Sequence, residues 1–588
     1  MHKPKAFSPH VLLTVISMCL PLAANATTAP TPGVAAADSQ AIFSSLATAQ
    51  PEWAANGMVS SQEALATAVG VDMLRQGGNA VDAAVAVGFA LAITLPRAGN
   101  IGGGGFMLYH SPKQNLSTAI DYREMAPARA HKTLFQDEQG NVDSNLSKYH
   151  GLAVGVPGTV AGFEMALNKY GTMTLAQVIA PAIKLAEEGI LVTPDLANSL
   201  AGLKDRMQQW PSTARIFYKA DGSPYQAGDL LVQPELAASL KRIAKLGSKG
   251  FYEGETADKL VAAVNQAGGI MTPEDMKNYR AVERKPVEGS YRGHRVLSMP
   301  PPSSGGVHII EMLNVLEHFP LRDTGFNSAQ TLHLMAETMK LAYADRSEYL
   351  GDPDFYPVPV AQLTDKNYAA RLAAAIDPNK ARASAEIRPG ELLHYESPQT
   401  THYSVIDRWG NAVSNTYTLN FSYGSGLVAE GTGILLNNEM DDFSAKPGVP
   451  NGFGLVGGDA NSVEGGKRPL SSMSPTIVLD GNQPWLVTGS PGGSRIINTT
   501  LQMIVSTVDF GLNVAEASAA PRIHHQWLPD ELRVERSLSP DTIELLKAKG
   551  HNVQIKNAMG ATQSIMKTDS GLYGSSDPRR SGSSTQGY

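Results

Sequence analysis

The chain has 588 residues, 42% apolar and 18% charged, a balance that excludes a disordered or fibrous protein and leaves enough chain for a large buried core and several domains. The net charge is −7 with no basic run, which argues against a nucleic-acid partner. The single cysteine, Cys19, excludes a disulfide framework.

In chain order, residues 1–26 read as a signal peptide: Lys3 and Lys5 give the positive start, Val11 to Leu22 the apolar stretch, and Ala24-Asn25-Ala26 the cleavage site. The apolar stretch is shorter than the ~20 residues of a membrane span, so no membrane anchor is expected. Cleavage removes Lys3, Lys5 and no acid, taking the net charge from −7 to −9, and it removes Cys19. A periplasmic or secreted chain without a thiol follows, which excludes cysteine catalysis.

Residues 27–55, rich in Ala, Thr and Pro, read as a loose lead-in. Ser60 with Glu63 makes a capping box for a helix that places Leu65, Val69 and Met73 on one face and ends at Gly77. The small apolar run 80–93 predicts a buried helix. Thr174 to Glu188, ending at Gly189, and Ser328 to Leu350, ending at Gly351, are capped amphipathic helices. There is no internal repeat. Asp377 to Gln399 is polar and contains Pro, as suits an exposed loop that tolerates a cut.

After residue 399 the texture changes. Short β-rich runs occupy 402–407, 412–419, 432–437, 475–479 and 484–488, with helical patterns at 494–510 and from Ser539-Pro540 to Lys549, closed by Gly550. Strands mixed with packed helices predict an α/β or α+β layered fold.

Two segments carry chemistry. Thr400 to Asp407 alternates like a strand, Arg408-Trp409-Gly410-Asn411 reads as a turn, and Ala412 to Leu419 returns. Folding about Trp409–Gly410 sets Thr418 opposite Thr400, within reach of a Thr–Thr hydrogen bond. A threonine at a new chain start has a use: its α-amine, with a pKa of about 7.7–8.0, accepts the hydroxyl proton near neutral pH, and its β-branch restricts the aim of Oγ. Thr with its own amine is a recognised nucleophile–base pair. By itself, though, a Thr-Thr pair in a strand is ordinary surface. The second segment, Thr488-Gly489-Ser490-Pro491-Gly492-Gly493-Ser494-Arg495, follows one apolar run and opens a helix. It fits an anion site of converging N–H groups, but by itself it reads first as a tight strand-to-helix turn.

Further motifs surround these two. Thr400-Thr401-His402-Tyr403-Ser404, Thr416-Tyr417-Thr418-Leu419-Asn420, Leu436 to Phe443 (LNNEMDDF), Pro469 to Pro475 (PLSSMSP) and Gly489 to Arg495 (GSPGGSR) occur in that order. Earlier come Ala98 to Phe106 (AGNIGGGGF), Asp121-Tyr122-Arg123-Glu124 and Tyr343-Ala344-Asp345-Arg346. Together they closely resemble the γ-glutamyltransferases (γ-glutamyl transpeptidases, glutathione hydrolases) from about residue 50 to Tyr588.

The resemblance implies an N-terminal-nucleophile hydrolase, a four-layer α/β/β/α sandwich, made as one precursor. Self-cleavage between Gln399 and Thr400 would give a large subunit, 27–399, and a small catalytic subunit, 400–588, joined as a heterodimer. It implies Thr400 as nucleophile, Thr418 as its hydroxyl partner, and Gly492 and Gly493 as the oxyanion hole. Arg123, Ser471 and Ser472 would hold the substrate α-carboxylate, and Asn420, Glu439 and Asp442 its α-ammonium. A γ-glutamyl group ends in a zwitterion, which requires such a cation and such carboxylates. The implied reaction transfers the γ-glutamyl group of glutathione and related compounds, through a threonyl ester, to water or to amino acids and peptides, with no cofactor and no metal. One departure stands out: within the lid loop Pro447 to Gly458, Phe453 occupies a position where the bacterial enzymes often carry a tyrosine. A phenyl ring covers the pocket without donating a hydrogen bond to Asn420, so water is expected to compete better with an acceptor amine.

Other signals point to structure. His524-His525 lacks the i,i+4 spacing of a zinc motif and reads as packed or hydrogen-bonded, and Ser303-Ser304-Gly305-Gly306 reads as a turn. Three rivals stand beside the main reading: a cephalosporin or glutaryl acylase on the same scaffold, an inactive secreted binding protein that stays in one piece, and a Ser-His-Asp hydrolase, for which the G-x-S-x-G elbow is absent.

Overall fold

A computed structural model describes residues 47–387, 400–449, 451, 455 and 457–588. The signal-peptide reading, Cys19, the cleavage residue Gln399 and the lid residue Phe453 lie outside the described residues. The rest is organised by fourteen antiparallel strands: Glu52–Ala54 (β1), Met58–Ser61 (β2), Gly104–Ser111 (β3), Leu116–Tyr122 (β4), Val282–Arg284 (β5), Val287–Tyr291 (β6), His294–Ser298 (β7), Thr401–Ile406 (β8), Ala412–Thr418 (β9), Thr476–Asp480 (β10), Gln483–Thr488 (β11), Gln563–Thr568 (β12), Gly571–Ser576 (β13) and Ser584–Gly587 (β14). They form two seven-stranded sheets. One runs β1-β13-β12-β11-β10-β7-β6 and the other β14-β2-β8-β9-β3-β4-β5.

The sheets face each other across an apolar layer to which Phe106, Leu108 and Ile406 contribute from one sheet and Leu297, Ile477 and Val487 from the other. Each outer face is covered by helices. Ala64–Arg75 (α1), Ala80–Thr94 (α2) and Thr159–Tyr170 (α3) pack on the β8/β9 sheet, while Gly305–Leu316 (α4) and Val514–Ala519 (α7) pack on the other. Ala329–Tyr349 (α5) and Arg495–Val508 (α6) complete that second helical layer. The order helix, sheet, sheet, helix is the expected four-layer sandwich, in which each element buries one apolar face against the next.

Local chemistry explains most boundaries. Every residue of α2 is buried, and Asn79 and Asp82 close a reciprocal capping box at its start. Thr174 and Ser328 cap their helices as the sequence predicts, and Gly189, at φ 85°, ends the first. The α1 reading is corrected. Its cap is Glu63, whose side chain accepts from the Ala66 N–H, while Ser60 belongs to β2 and bonds Gln563 and Thr585. The buried face is accordingly Ala66, Gly70, Met73 and Leu74, and Leu65 is exposed. The end of the lead-in is also more ordered than its composition suggests, since Glu52–Ala54 is an edge strand.

Half of the strands precede residue 399, among them the neighbours of β8 and β9: β2 on one side and β3 on the other. The change of texture after residue 399 therefore does not divide the fold, and both halves supply both sheets.

Candidate active site

The β8–β9 hairpin builds the centre of the site. Ile406 pairs with Ala412 and Thr401 with Tyr417, so the same register carried one step further sets Thr400 against Thr418. The Thr400 hydroxyl lies 3.4 Å from Thr418 Oγ1, which in turn accepts the Asn420 N–H at 2.9 Å. Asn420 has φ 74°, a left-handed conformation that turns its side chain back to donate to the Asn438 carbonyl at 3.0 Å. On the far side, Thr418 pairs with Gly104 of β3. The Ala98 to Phe106 glycine run is required here, because a Cβ on Gly103 would stand 2.1 Å from the Thr418 carbonyl oxygen.

His402, two residues along β8, is not a candidate base. Ser404 Oγ gives its proton to the Gln563 carbonyl, so it accepts from His402 Nε2–H at 3.1 Å, leaving Nδ1 to accept from Thr416 at 2.8 Å. Complete burial holds the imidazole neutral, with its pKa pushed down to about 3.

The glycine segment leaves β11 and enters α6. Gly492 (φ 139°) and Gly493 (φ 56°) have conformations that L side chains rarely adopt, and the helix N-cap, Ser494, offers no side-chain cap. Arg495 pins the turn by donating to the Gly492 carbonyl from its N–H (3.1 Å) and its Nε (3.4 Å), and the Tyr343 hydroxyl donates to the Ser494 carbonyl. This uncapped, dipole-positive helix start favours an anion.

Thr400, Thr418, Asn420 and Gly493 line a cavity with ≈ 290 Å³ of empty space, and so do Arg123, Glu439, Asp442, Ser471 and Ser472. Gly492 stands one residue behind the lining. The sequence therefore brings together in one pocket groups up to 370 positions apart.

Arg123, fully buried at the end of β4, donates to Glu439 and, at 2.5 Å, to Asp442, with Nε on the Pro469 carbonyl at 3.1 Å. The groups expected to form the clamp are thus assembled, the cation paired with its two acids. A third acid, Glu124, lies 3.6 Å from the guanidinium with neither carboxyl oxygen hydrogen-bonded. Three buried acids around one guanidinium cannot all ionise cheaply. Burial, opposed by Arg123, raises Glu439 and Asp442 and pushes Glu124 up to about 7.

Motif reading assigned no role to three supports. Arg346, near the end of α5, also lines the cavity. Ser304 accepts from Arg346 Nε at 2.9 Å and donates to the Ser471 carbonyl at 2.9 Å, so the Ser303-Ser304 turn docks directly on the Ser471-Ser472 pair. Asn437 ties Gly102 and Gly155 to the Glu439 segment. Only the tertiary fold joins these residues, so no spacing in the sequence could have revealed them.

His524 and His525 are buried and bonded to Asn498 and Asp530, as packed histidines. Among the described residues, one group has metal-like spacing: His333, Glu337 and His551, with ligand atoms within 4.8 Å of one another. It already contains a cation, because Lys340 Nζ donates to Glu337 at 2.8 Å and to the Arg382 carbonyl at 2.6 Å.

The profile of the family described as gamma-glutamyltranspeptidase matches residues 66–587. The chain belongs to the γ-glutamyltranspeptidase family. It is 59% identical, over 92% of its length and 93% of the relative's, to a protein of Escherichia coli (strain K12) named glutathione hydrolase proenzyme. Its fold matches a crystal structure of a cephalosporin acylase from Bacillus halodurans with a TM-score of 0.82 at 29% identity, covering 93% of this chain and 98% of that one. A crystal structure of Helicobacter pylori gamma-glutamyltranspeptidase matches with a TM-score of 0.55 at 48% identity, covering 57% of this chain and 95% of that one. The family fold is that of the N-terminal-nucleophile hydrolases. Among the described residues no helix is long and apolar enough to cross a membrane.

Proposed function

We propose that the chain is the proenzyme of a γ-glutamyltransferase, cut between Gln399 and Thr400, and that Thr400 then carries the γ-glutamyl group of glutathione and related donors to water or to an amino-acid or peptide acceptor. One observation carries this reading: the Thr400 hydroxyl and the groups of a zwitterion clamp line the same cavity, drawn from both sides of the cut.

In the uncut chain the Thr400 nitrogen is an amide and cannot act as a base. The cut turns it into an amine with a pKa of about 7.7–8.0, able to take the proton of its own hydroxyl. Thr418 Oγ1 holds Thr400 Oγ1 in position while Arg123, Ser471 and Ser472 receive the donor α-carboxylate. Asn420, Glu439 and Asp442 receive the α-ammonium, which replaces Arg123 as the partner of the two acids. Thr400 Oγ1 attacks the γ-carbonyl, and the oxyanion meets the amides of Gly492 and Gly493 at the start of α6, each worth about 3–4 kcal/mol. The Thr400 amine gives the proton to the departing amine product, and, neutral again, it takes a proton from water or an acceptor as that nucleophile opens the threonyl ester. The two fragments, 27–399 and 400–588, remain together as a heterodimer outside the cytoplasm.

An acylase reading shares the nucleophile but has no use for paired acids opposite a guanidinium, so the Arg123–Glu439–Asp442 cluster favours a donor with both charges. Intact-mass measurement of wild type and Thr400→Ala tests the proposal, together with amine release from a γ-glutamyl anilide and with cephalosporin deacylation. Wild type is expected as two fragments that release the amine. Thr400→Ala is expected as one chain with activity reduced at least about 10⁴-fold. An uncut wild type, or one that deacylates the cephalosporin and spares the anilide, overturns it.

A further inference from the structure

The pocket contains two buried guanidinium groups with different surroundings. Arg123 is ion-paired with Glu439 and Asp442 and has Glu124 at 3.6 Å. Arg346, which lines the same cavity, has no carboxylate within ion-pair distance among the described residues. Its hydrogen bonds run to two neutral hydroxyls, from Nε to Ser304 at 2.9 Å and from a terminal nitrogen to Ser472 at 3.3 Å. A guanidinium has five N–H donors, and those two bonds leave part of its fork to the cavity it lines. Burial lowers its pKa to about 10, opposed by the Tyr343 and Asp442 charges and reinforced by the Arg123 charge, so it stays cationic at neutral pH without a carboxylate bonded to it.

We propose that Arg346 is a specificity-determining residue: with Ser472 it supplies a positive charge, bonded to no carboxylate, against which a donor's free α-carboxylate is set, restricting donors to γ-glutamyl compounds whose α-carboxyl is ionised. The proposal rests on the γ-glutamyl reading above and deepens it. Glu439 and Asp442, the two acids that accept from Arg123, set two negative charges against the positive charges of Arg123 and Arg346. A zwitterionic donor leaves that balance at zero. Without Arg346 the pocket would be net negative, and a donor carboxylate arriving at Arg123 would meet the two acids already there. Such a pocket would prefer a donor that keeps the ammonium and lacks the carboxylate charge, as an α-amide does.

The test compares two chromogenic donors, a γ-glutamyl anilide with a free α-carboxyl and the same compound as its α-amide, on processed wild type, Arg346→Met and Arg346→Lys. Wild type is expected to favour the free acid. In Arg346→Met the KM for the acid is expected to rise about 100-fold with kcat changed far less, and the acid-to-amide ratio of kcat/KM to fall by a similar factor. A residue that merely braced the Ser471-Ser472 turn would weaken both donors equally. Arg346→Lys keeps a charge that burial makes easier to lose, so its KM for the acid is expected to climb above about pH 8, where wild type stays flat. If Arg346→Met fails to fold or process, this pH profile alone decides. A wild-type-like acid-to-amide ratio in Arg346→Met, or a flat lysine profile, overturns the Arg346 assignment only. A wild type that releases no amine from either donor overturns the γ-glutamyl reading beneath it.

Discussion

At the scale of single residues, Thr418 has two duties. Its hydroxyl stands 3.4 Å from the Thr400 hydroxyl, and it also accepts the N–H of Asn420, which holds a left-handed turn. Thr418→Val keeps the β-branched shape and removes only the hydroxyl. We expect kcat for the anilide to fall roughly 10- to 100-fold with KM little changed, as for a group that acts on the nucleophile rather than on the bound donor. The orphaned Asn420 N–H costs a further ~1–3 kcal/mol of stability, visible as a lower Tm, and Thr418→Ser restores most of both. A Thr418→Val enzyme with unchanged kcat would remove Thr418 from the mechanism. The pairing of Thr400 with Thr418 was legible because it is a local property: period-two alternation and a turn centred near Trp409 fix it. Arg346 was not. Although it lies in a motif, its place depends on α5 crossing to the Ser471-Ser472 turn, and no local pattern encodes that crossing.

At the scale of elements, two capped helices were legible from their punctuation, as Thr174 with Gly189 and Ser328 show, whereas the Asn79–Asp82 box at the start of α2 went unread. The strands of the first half went unread, because β3 is buried on both faces and carries no alternation to detect. The junction of α4 and α5 contains a polar cluster that no periodicity would suggest. Buried Glu311 bonds His308 Nδ1 at 2.6 Å, and Asp345 accepts from the Tyr368 hydroxyl at 2.5 Å. Burial pushes both carboxyls up to about 8 and His308 down to about 3. Between about pH 4.5 and 8 the unfolded chain has released these carboxyl protons while the folded one keeps them, so folding stability falls as pH rises through that window. Glu311→Gln removes one of the two titrations. Relative to wild type it should gain on the order of 2–4 kcal/mol between pH 5 and 8.5, read from denaturant midpoints at each pH. A difference independent of pH would mean that Glu311 is ionised in the folded protein.

At the scale of the molecule, the candidate cut falls between strands that the fold then interleaves. β8 and β9, which follow Thr400, are hydrogen-bonded between β2 and β3, which precede it, and β14 closes the other edge of β2. In the second sheet β10 pairs with β7, and β13 with β1. Pulling the fragments apart would strip backbone partners from both sheets and open the apolar layer between them, exposing Phe106, Ile406, Leu297 and Ile477 to water. A heterodimer of this kind has no separable domains, so cutting removes one peptide bond and leaves its stabilising contacts in place. We therefore expect the cut protein to elute as a single species through dilution to nanomolar concentration and through salt high enough to screen surface charges, and to unfold in one transition seen identically by fluorescence and circular dichroism. The 400–588 fragment expressed alone should be insoluble or unfolded, since β8 and β9 would present two unpaired edges. A soluble, folded 400–588 fragment, or two unfolding transitions in the cut protein, would show that its strands find partners without the first half.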